Sequence, residues 1–349
     1  MSTKSAAENA QEFAQSAISA APVIILGSGA SAAHGIPGMG PLADHLSTAA
    51  INPDWNVDEQ AEWQKFLVHL KAGIDLESAM QDIRPTVRQT HLIVTMTRDF
   101  LLPYDLTVLE ELLLDRRALP LSRLFRHLFD STHMTIDVVT PNYDRVAEYA
   151  ADAADIACFT GFNYGYLQTR ARNAKTRVSV DGRAVRTVAI WKVHGSLDWF
   201  QDSAQQIFGV RSALKIPAAL TPLMITPGIE KYRLTHGEPF TTVLACANAA
   251  VEKARAYFCV GYGFNDEHLQ AKLQARCDWD SVPLVLITKE LTPTARTILK
   301  SGQCRRYLAI EDGPAGARAY MHDVPDGFDL DKPLWQLDPF LDHMTGARA

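Results

Sequence analysis

Three turn segments that lie far apart in this chain each stand directly behind an apolar, β-branched run. Gly27-Ser28-Gly29-Ala30-Ser31, with Gly35-Ile36-Pro37 close after it, follows residues 22–26. Thr140-Pro141-Asn142-Tyr143-Asp144 follows the run 135–140, and Val193-His194-Gly195-Ser196 follows the run that begins near Ile190. Short apolar runs bounded by turn residues read as buried strands. Joined by crossover helices, such strands lie parallel and end on one edge of the sheet. The three segments are therefore expected side by side on that edge, where open α/β folds bind ligands.

The rest of the chain fits this architecture. Further strands are expected at residues 156–159, 184–193, 223–226, 257–261, 284–288 and 307–310. Helices are expected near 144–153, 241–256, 266–276 and 293–300. Such alternation implies an α/β, Rossmann-like, doubly wound and mostly parallel sheet. Between about residues 41 and 132 the apolar spacing turns helical, with Trp63, Phe66, Leu67 and Leu70, then runs at 92–102, 109–114 and 121–129, which reads as an inserted helical module. Asp181-Gly182 is a hairpin signal. The expected organisation is an N-terminal helix over 1–20, a main domain over 21–312 and a C-terminal docking segment over 313–349. The last is Asp- and Pro-rich but keeps Phe328, Leu330, Leu334, Trp335, Leu337, Phe340 and Leu341, too apolar for a solvated tail.

With 349 residues, 47% of them hydrophobic, the chain can bury a full core. A formal charge of −6 and the absence of any basic run longer than a pair argue against direct nucleic-acid binding. No stretch is long and apolar enough to span a bilayer, and the first residues lack a secretory pattern, so a cytoplasmic chain is expected. The five cysteines include no Cys-x-x-Cys pair and are expected as reduced thiols, with no metal site.

Gly27-Ser28-Gly29-Ala30-Ser31-Ala32 matches the Gly-x-Gly-x-x-Ala dinucleotide fingerprint, in which small residues let backbone amides approach a pyrophosphate. A tight turn that serves only strand-to-helix packing is the alternative. No acidic residue closes a second strand after it, which disfavours a hydride-transferring dehydrogenase. Asn142 suits a ribose hydroxyl or a water, with Asp144 supporting it, and helix capping would use the same residues. His194, exposed by the following Gly195-Ser196, suits a general base, although a histidine with a purely structural place reads the same. Gly261-Tyr262-Gly263-Phe264-Asn265-Asp266-Glu267-His268 is a second strand–turn–helix junction on the same edge. It suits the adenosine half of a dinucleotide, with capping the alternative for Asp266. Thr226-Pro227-Gly228 reads as a loop.

Taken in order, these motifs resemble the sirtuin superfamily, and the 261–268 segment resembles the bacterial sirtuin-like NAD-hydrolase domains of anti-phage defence systems. The likeness runs over most of residues 20 to 312. It implies NAD+ as substrate and a catalytic pair at Asn142 and His194. It also implies control by assembly, as a homo-oligomer or with a translocase ATPase or a nucleotide-sensing subunit. Deacylating sirtuins continue Gly-Ile-Pro with Asp-Phe-Arg and carry a four-cysteine ribbon. This chain has Gly38-Met39-Gly40 and no ribbon, which weakens protein deacylation and leaves cleavage of the nicotinamide–ribose bond. The competing expectations are an NAD-dependent deacylase and a non-catalytic sensor of NAD or ADP-ribose.

Overall fold

The computed structural model describes residues 4–171, 178–211, 215–217, 219–226 and 237–345, without the side chains of residues 267 and 268. Pro227 and Gly228 of the expected loop, and the His268 side chain, lie outside the described residues.

Seven short strands pair in parallel in the order Ala157–Phe159, Thr187–Lys192, Thr135–Thr140, Val23–Leu26, Tyr257–Val260, Leu284–Ile287 and Tyr307–Gly313. Two antiparallel strands, Gly316–Met321 and Val324–Leu330, complete a nine-stranded sheet at one edge. Successive residues of the central strands face opposite layers, so both layers can be apolar. Ile24, Leu26, Val138 and Ile190 enter one core with helices Ala6–Ser19, Pro120–Phe129, Val146–Ala153 and Leu337–Thr345. Val23, Ile25, Val139 and Trp191 enter the other with Phe240–Lys253, Glu267–Trp279 and Pro293–Lys300. The strands that follow Val23–Leu26 in sequence lie on one side of it, while Tyr257–Val260 and its successors lie on the other. The switch point of the sheet therefore falls between the strands that end at Leu26 and Val260.

The insertion packs Leu42, Leu46, Trp55, Trp63, Phe66 and Leu70 into a small core of its own. The two helices expected at 92–102 and 109–114 are one, Val87–Leu114, which runs through Pro103. Pro103 lacks a donor, but tertiary anchors hold the helix on both sides of it. Buried Arg98 donates Nε–H to Leu197 O at 3.0 Å, and fully buried Asp105 accepts from Arg145 and Tyr149.

The strand expected at 223–226 also differs. Thr221–Met224 lies outside the main sheet, in a four-stranded antiparallel sheet where it pairs with Gly195–Gln201. Gly195 sets this up: at φ +88° its Cα faces Leu223 O so closely that a Cβ would stand 2.1 Å from it. The chain thus folds back just after His194, whose carbonyl accepts Ile225 N–H at 2.8 Å. The C-terminal segment supplies both antiparallel strands of the main sheet and a helix whose Phe340, Leu341 and Met344 are buried against the first core. Among the described residues no helix is long and apolar enough to cross a membrane.

Candidate active site

The strand ends meet at a cavity of about 1380 Å³ beyond the C-terminal edge of the sheet. Gly27–Gly38, Thr140–Asp144, His194, Gly261–Gly263 and Asn265–Asp266 all line it, so every motif read from the sequence contributes. The walls also include Glu77 and Glu111 from the insertion, Thr288–Glu290 beyond a further strand, and Trp335–Asp338 from the C-terminal segment.

The glycine turns meet across the switch point. Gly29 N–H donates to Gly261 O at 3.1 Å, and Gly27 N–H to Val260 O at 3.0 Å. A Cβ on Gly27 would stand 2.3 Å from Gly261 O, and one on Gly261 would stand 2.3 Å from Ala30 N. These glycines are therefore required for backbone to lie on backbone, whatever else the turn binds. Gly261→Ala adds a left-handed penalty at φ +57° to that clash. It is expected to destabilise the fold by more than about 2 kcal/mol in denaturant unfolding. A parental midpoint would mean that the two turns can separate without loss.

Thr140 Oγ1 donates to Leu26 O at 2.9 Å and accepts Asn142 N–H at 3.1 Å, tying two strand ends together. Asn142 Nδ2 donates to Gly27 O and to Ser31 Oγ, each at 2.9 Å. Because a carbonyl only accepts, the contact with Gly27 O fixes the amide orientation. Asn142, which lines the cavity, is thus left with Oδ1 as an acceptor that has no donor among the described residues. Asn142 caps no helix. Ser31 Oγ donates in turn to Asp144 Oδ2 at 2.7 Å, so Asp144 reaches Asn142 through Ser31, while Asp144 Oδ1 accepts Val146 N–H at 3.2 Å. Burial pushes the Asp144 carboxyl up, opposed by Lys192 and the Ser31 hydrogen bond.

Beneath this turn lies a dry cluster of charges. Lys192, fully buried, donates to Asp144 O and stands 3.1 Å from Glu148 Oε1. Burial pushes the Glu148 carboxyl up to about 7, with Lys192 pulling against it. A folded value above the ordinary 4.5 means that the native chain holds a proton the unfolded chain releases. The Glu148 contribution to stability is therefore full below about pH 4.5 and is lost as pH rises through about 7. Thermal melts over that range should show a decline that Glu148→Gln diminishes; the same slope in parent and variant would contradict it.

His194 Nε2 lies 2.8 Å from Asp266 Oδ2, and both side chains are largely buried. Asp266 Oδ1 meanwhile accepts Leu269 N–H at 3.1 Å and caps helix Glu267–Trp279. Tyr143 lies within electrostatic reach of Asp266 and donates to Ile225 O at 2.5 Å. Tyr262, assigned from sequence to the cofactor, is buried and packs on Phe264 with ring centroids 4.8 Å apart. Ile36 is buried beside Ser31 and lines the cavity together with Gly35 and Pro37. Sequence reasoning missed the Thr288–Glu290 wall, although the strand before it ends on the same edge by the same rule. It gave no sign of Glu77, Glu111 or Trp335 at the cavity. Among the described residues no cluster of His, Cys, Asp and Glu is arranged to hold a metal ion.

No protein-family model matches the chain, and neither does any curated protein. Solved structures similar to it include a Sir2 homologue–NAD complex, at 15% identity over 81% of this chain and 84% of that one, with a TM-score of 0.39. A mutant Sir2 homologue bound to ADP-ribose is 15% identical over 94% of both chains, with a TM-score of 0.43. Sir2Tm bound to a propionylated peptide is 12% identical over 78% of this chain and 82% of that one, with a TM-score of 0.37. None of these likenesses reaches a level at which residues or activities transfer.

Proposed function

We propose that this chain is an NAD+ hydrolase that cleaves the nicotinamide–ribose bond to give nicotinamide and ADP-ribose. One observation carries the reading: Asn142, with Oδ1 left as an acceptor, and His194, beside a carboxylate, line the same cavity at the switch point of a mostly parallel sheet. At about 1380 Å³ the cavity exceeds the roughly 300–1,000 Å³ typical of small-molecule sites, room enough for a dinucleotide.

The bond itself sets the demands on the site. Nicotinamide is a cationic leaving group and departs with the glycosidic electron pair, so the site must hold the ribose and admit one water to C1′. In this reading Asn142 Oδ1 accepts from a ribose hydroxyl or the attacking water. Ser31 and Asp144 hold the Asn142 amide. Water oxygen bonds to C1′ as the C1′–N bond breaks, and His194 takes the proton that the water loses. The pyrophosphate lies along Gly27–Ser31. Since the Gly27 and Gly29 amides already bond to backbone carbonyls, its contacts fall to Ser28, exposed at the head of the short helix. Gly261 packs on the Gly27–Ala30 turn, and Asp266 of the same segment stands beside His194.

A role as the NAD-depleting effector of a bacterial anti-phage system rests on the sequence resemblance of residues 261–268, and restraint by assembly with itself or a partner follows from it. The apolar faces of the N-terminal helix and the C-terminal segment pack largely within the chain, at Ala10, Ala14, Phe340 and Leu341, so a partner would meet other surfaces.

The test is nicotinamide release from NAD by the purified chain, with and without an acylated peptide. Release without peptide, abolished by Asn142→Ala, is the expected result. Release only with peptide would make the chain a deacylase. Binding of NAD without release, alone or in any assembly the chain forms, would make it a sensor.

A further inference from the structure

The contact between His194 and Asp266 is not required by the fold of either segment. A helix N-cap needs one side-chain oxygen, and Asp266 Oδ1 supplies it to Leu269 N–H. The second oxygen lies 2.8 Å from His194 Nε2, across the cavity wall and from a different element. The Asp266 residue is 7% exposed, and the His194 side chain 13% exposed, so bulk water does little to screen the pair. Among the described residues, the titratable groups near the pair include Tyr143 and Tyr262, both within electrostatic reach of Asp266, and Glu77, within reach of Tyr143.

A carboxylate accepts and does not donate, so it favours the imidazole form that carries its proton on the adjacent nitrogen. Here that nitrogen is Nε2, and the lone pair is left on Nδ1. A base with the proton on the wrong nitrogen cannot take one from water, however well its ring is placed.

From this geometry we infer that Asp266 is a positioning residue, which holds His194 with its proton on Nε2 and its Nδ1 as the acceptor for the attacking water. The inference rests on the hydrolase reading and adds to it: one residue of the loop that sequence patterns gave to the adenosine half also serves the base. Asp266 touches no reacting atom. Its carboxylate keeps one imidazole form populated and stabilises the imidazolium that forms as water loses its proton.

Two substitutions preserve the cap, because Asn and Ser are as good at an N-cap as Asp. Asp266→Asn keeps the size and removes the charge, while Asp266→Ser also withdraws from the ring. Both should fold with nearly the parental melting temperature. Each should lower kcat for NAD cleavage by at least about tenfold, and by no more than the ~10²–10⁴ that the positioned acid–base group itself supplies, with KM little changed. A purely structural role for Asp266 would move melting temperature and leave the imidazole form alone. The ¹⁵N spectrum of the His194 ring reads that form directly, and should show the Nε2–H form in the parent and its loss in Asp266→Ser. Parental kcat in both variants, or an unchanged ¹⁵N spectrum in Asp266→Ser, would overturn the assignment. The spectrum needs no turnover. A chain that shows the spectral change but cleaves no NAD would keep the pairing and refute the hydrolase reading beneath it.

Discussion

Replacing His194 by alanine is expected to lower nicotinamide release from NAD by about a hundred- to ten-thousandfold, the usual worth of a positioned acid–base group, with little change in KM. The effect should fall on kcat because the ring acts when water loses its proton, after the dinucleotide is bound. Steady-state kinetics of the parent and His194→Ala, side by side, decide it. His194 also stands where the chain folds back into the antiparallel sheet, but that turn is made by backbone: Gly195 supplies the conformation and the His194 carbonyl the hydrogen bond. The alanine variant should therefore keep that turn, but it takes the imidazole away from the largely buried Asp266 carboxylate, so its melting temperature is expected to fall and its rate is read on chain shown to be folded. A rate within a few-fold of the parent would remove His194 from the reaction.

The second large effect is on stability. Asp105 is fully buried in the long insertion helix, and three groups from Arg145 and from Tyr149 of the following helix depend on it. It accepts Arg145 N–H at 2.7 Å and Arg145 Nε–H at 2.9 Å, a further bond from Arg145 Nη2, and the Tyr149 hydroxyl at 2.7 Å. The Asp105 carboxylate holds the Arg145 guanidinium above its ordinary range, although burial alone would lower it. Asp105→Ala leaves a guanidinium, a hydroxyl and a backbone N–H without their acceptor in a dry site. Breaking a buried pair from one side costs about 3–5 kcal/mol, and denaturant unfolding should show a loss of that size. Because the network lies against Asp144, activity should fall with stability. A loss below about 1 kcal/mol would mean that the Arg145 turn is held by something else.

Strands were legible because each is a short apolar run with turn residues behind it. That pattern places Gly27, Thr140, His194 and Gly261 on one edge without knowledge of any contact. What joins them across the cavity was not legible. Ser31 reads as a small residue in a glycine-rich turn, yet its hydroxyl links Asn142 to Asp144. Asp266 reads as a helix cap, which it is, but only packing brings its second oxygen to His194. Asp105 and Arg98 look like members of a solvated helix face, because periodicity does not register a charge whose partner lies on another element. The gap in the apolar pattern between 102 and 109 is bridged by one helix that runs through Pro103 and is held by tertiary anchors. The strand Val324–Leu330 was hidden by its Pro325, Asp326 and Gly327, tolerable at the sheet edge where one side needs no ladder.

The most direct test of the central claim is the fate of the glycosidic bond. Purified chain is incubated with NAD in ¹⁸O-labelled water, with no acylated peptide present, and the products are weighed by mass spectrometry. The account predicts nicotinamide together with ADP-ribose that carries one ¹⁸O on C1′, and neither product from Asn142→Ala. Intact NAD in every assembly, or nicotinamide release that requires an acylated peptide and yields an acylated ADP-ribose, would contradict it.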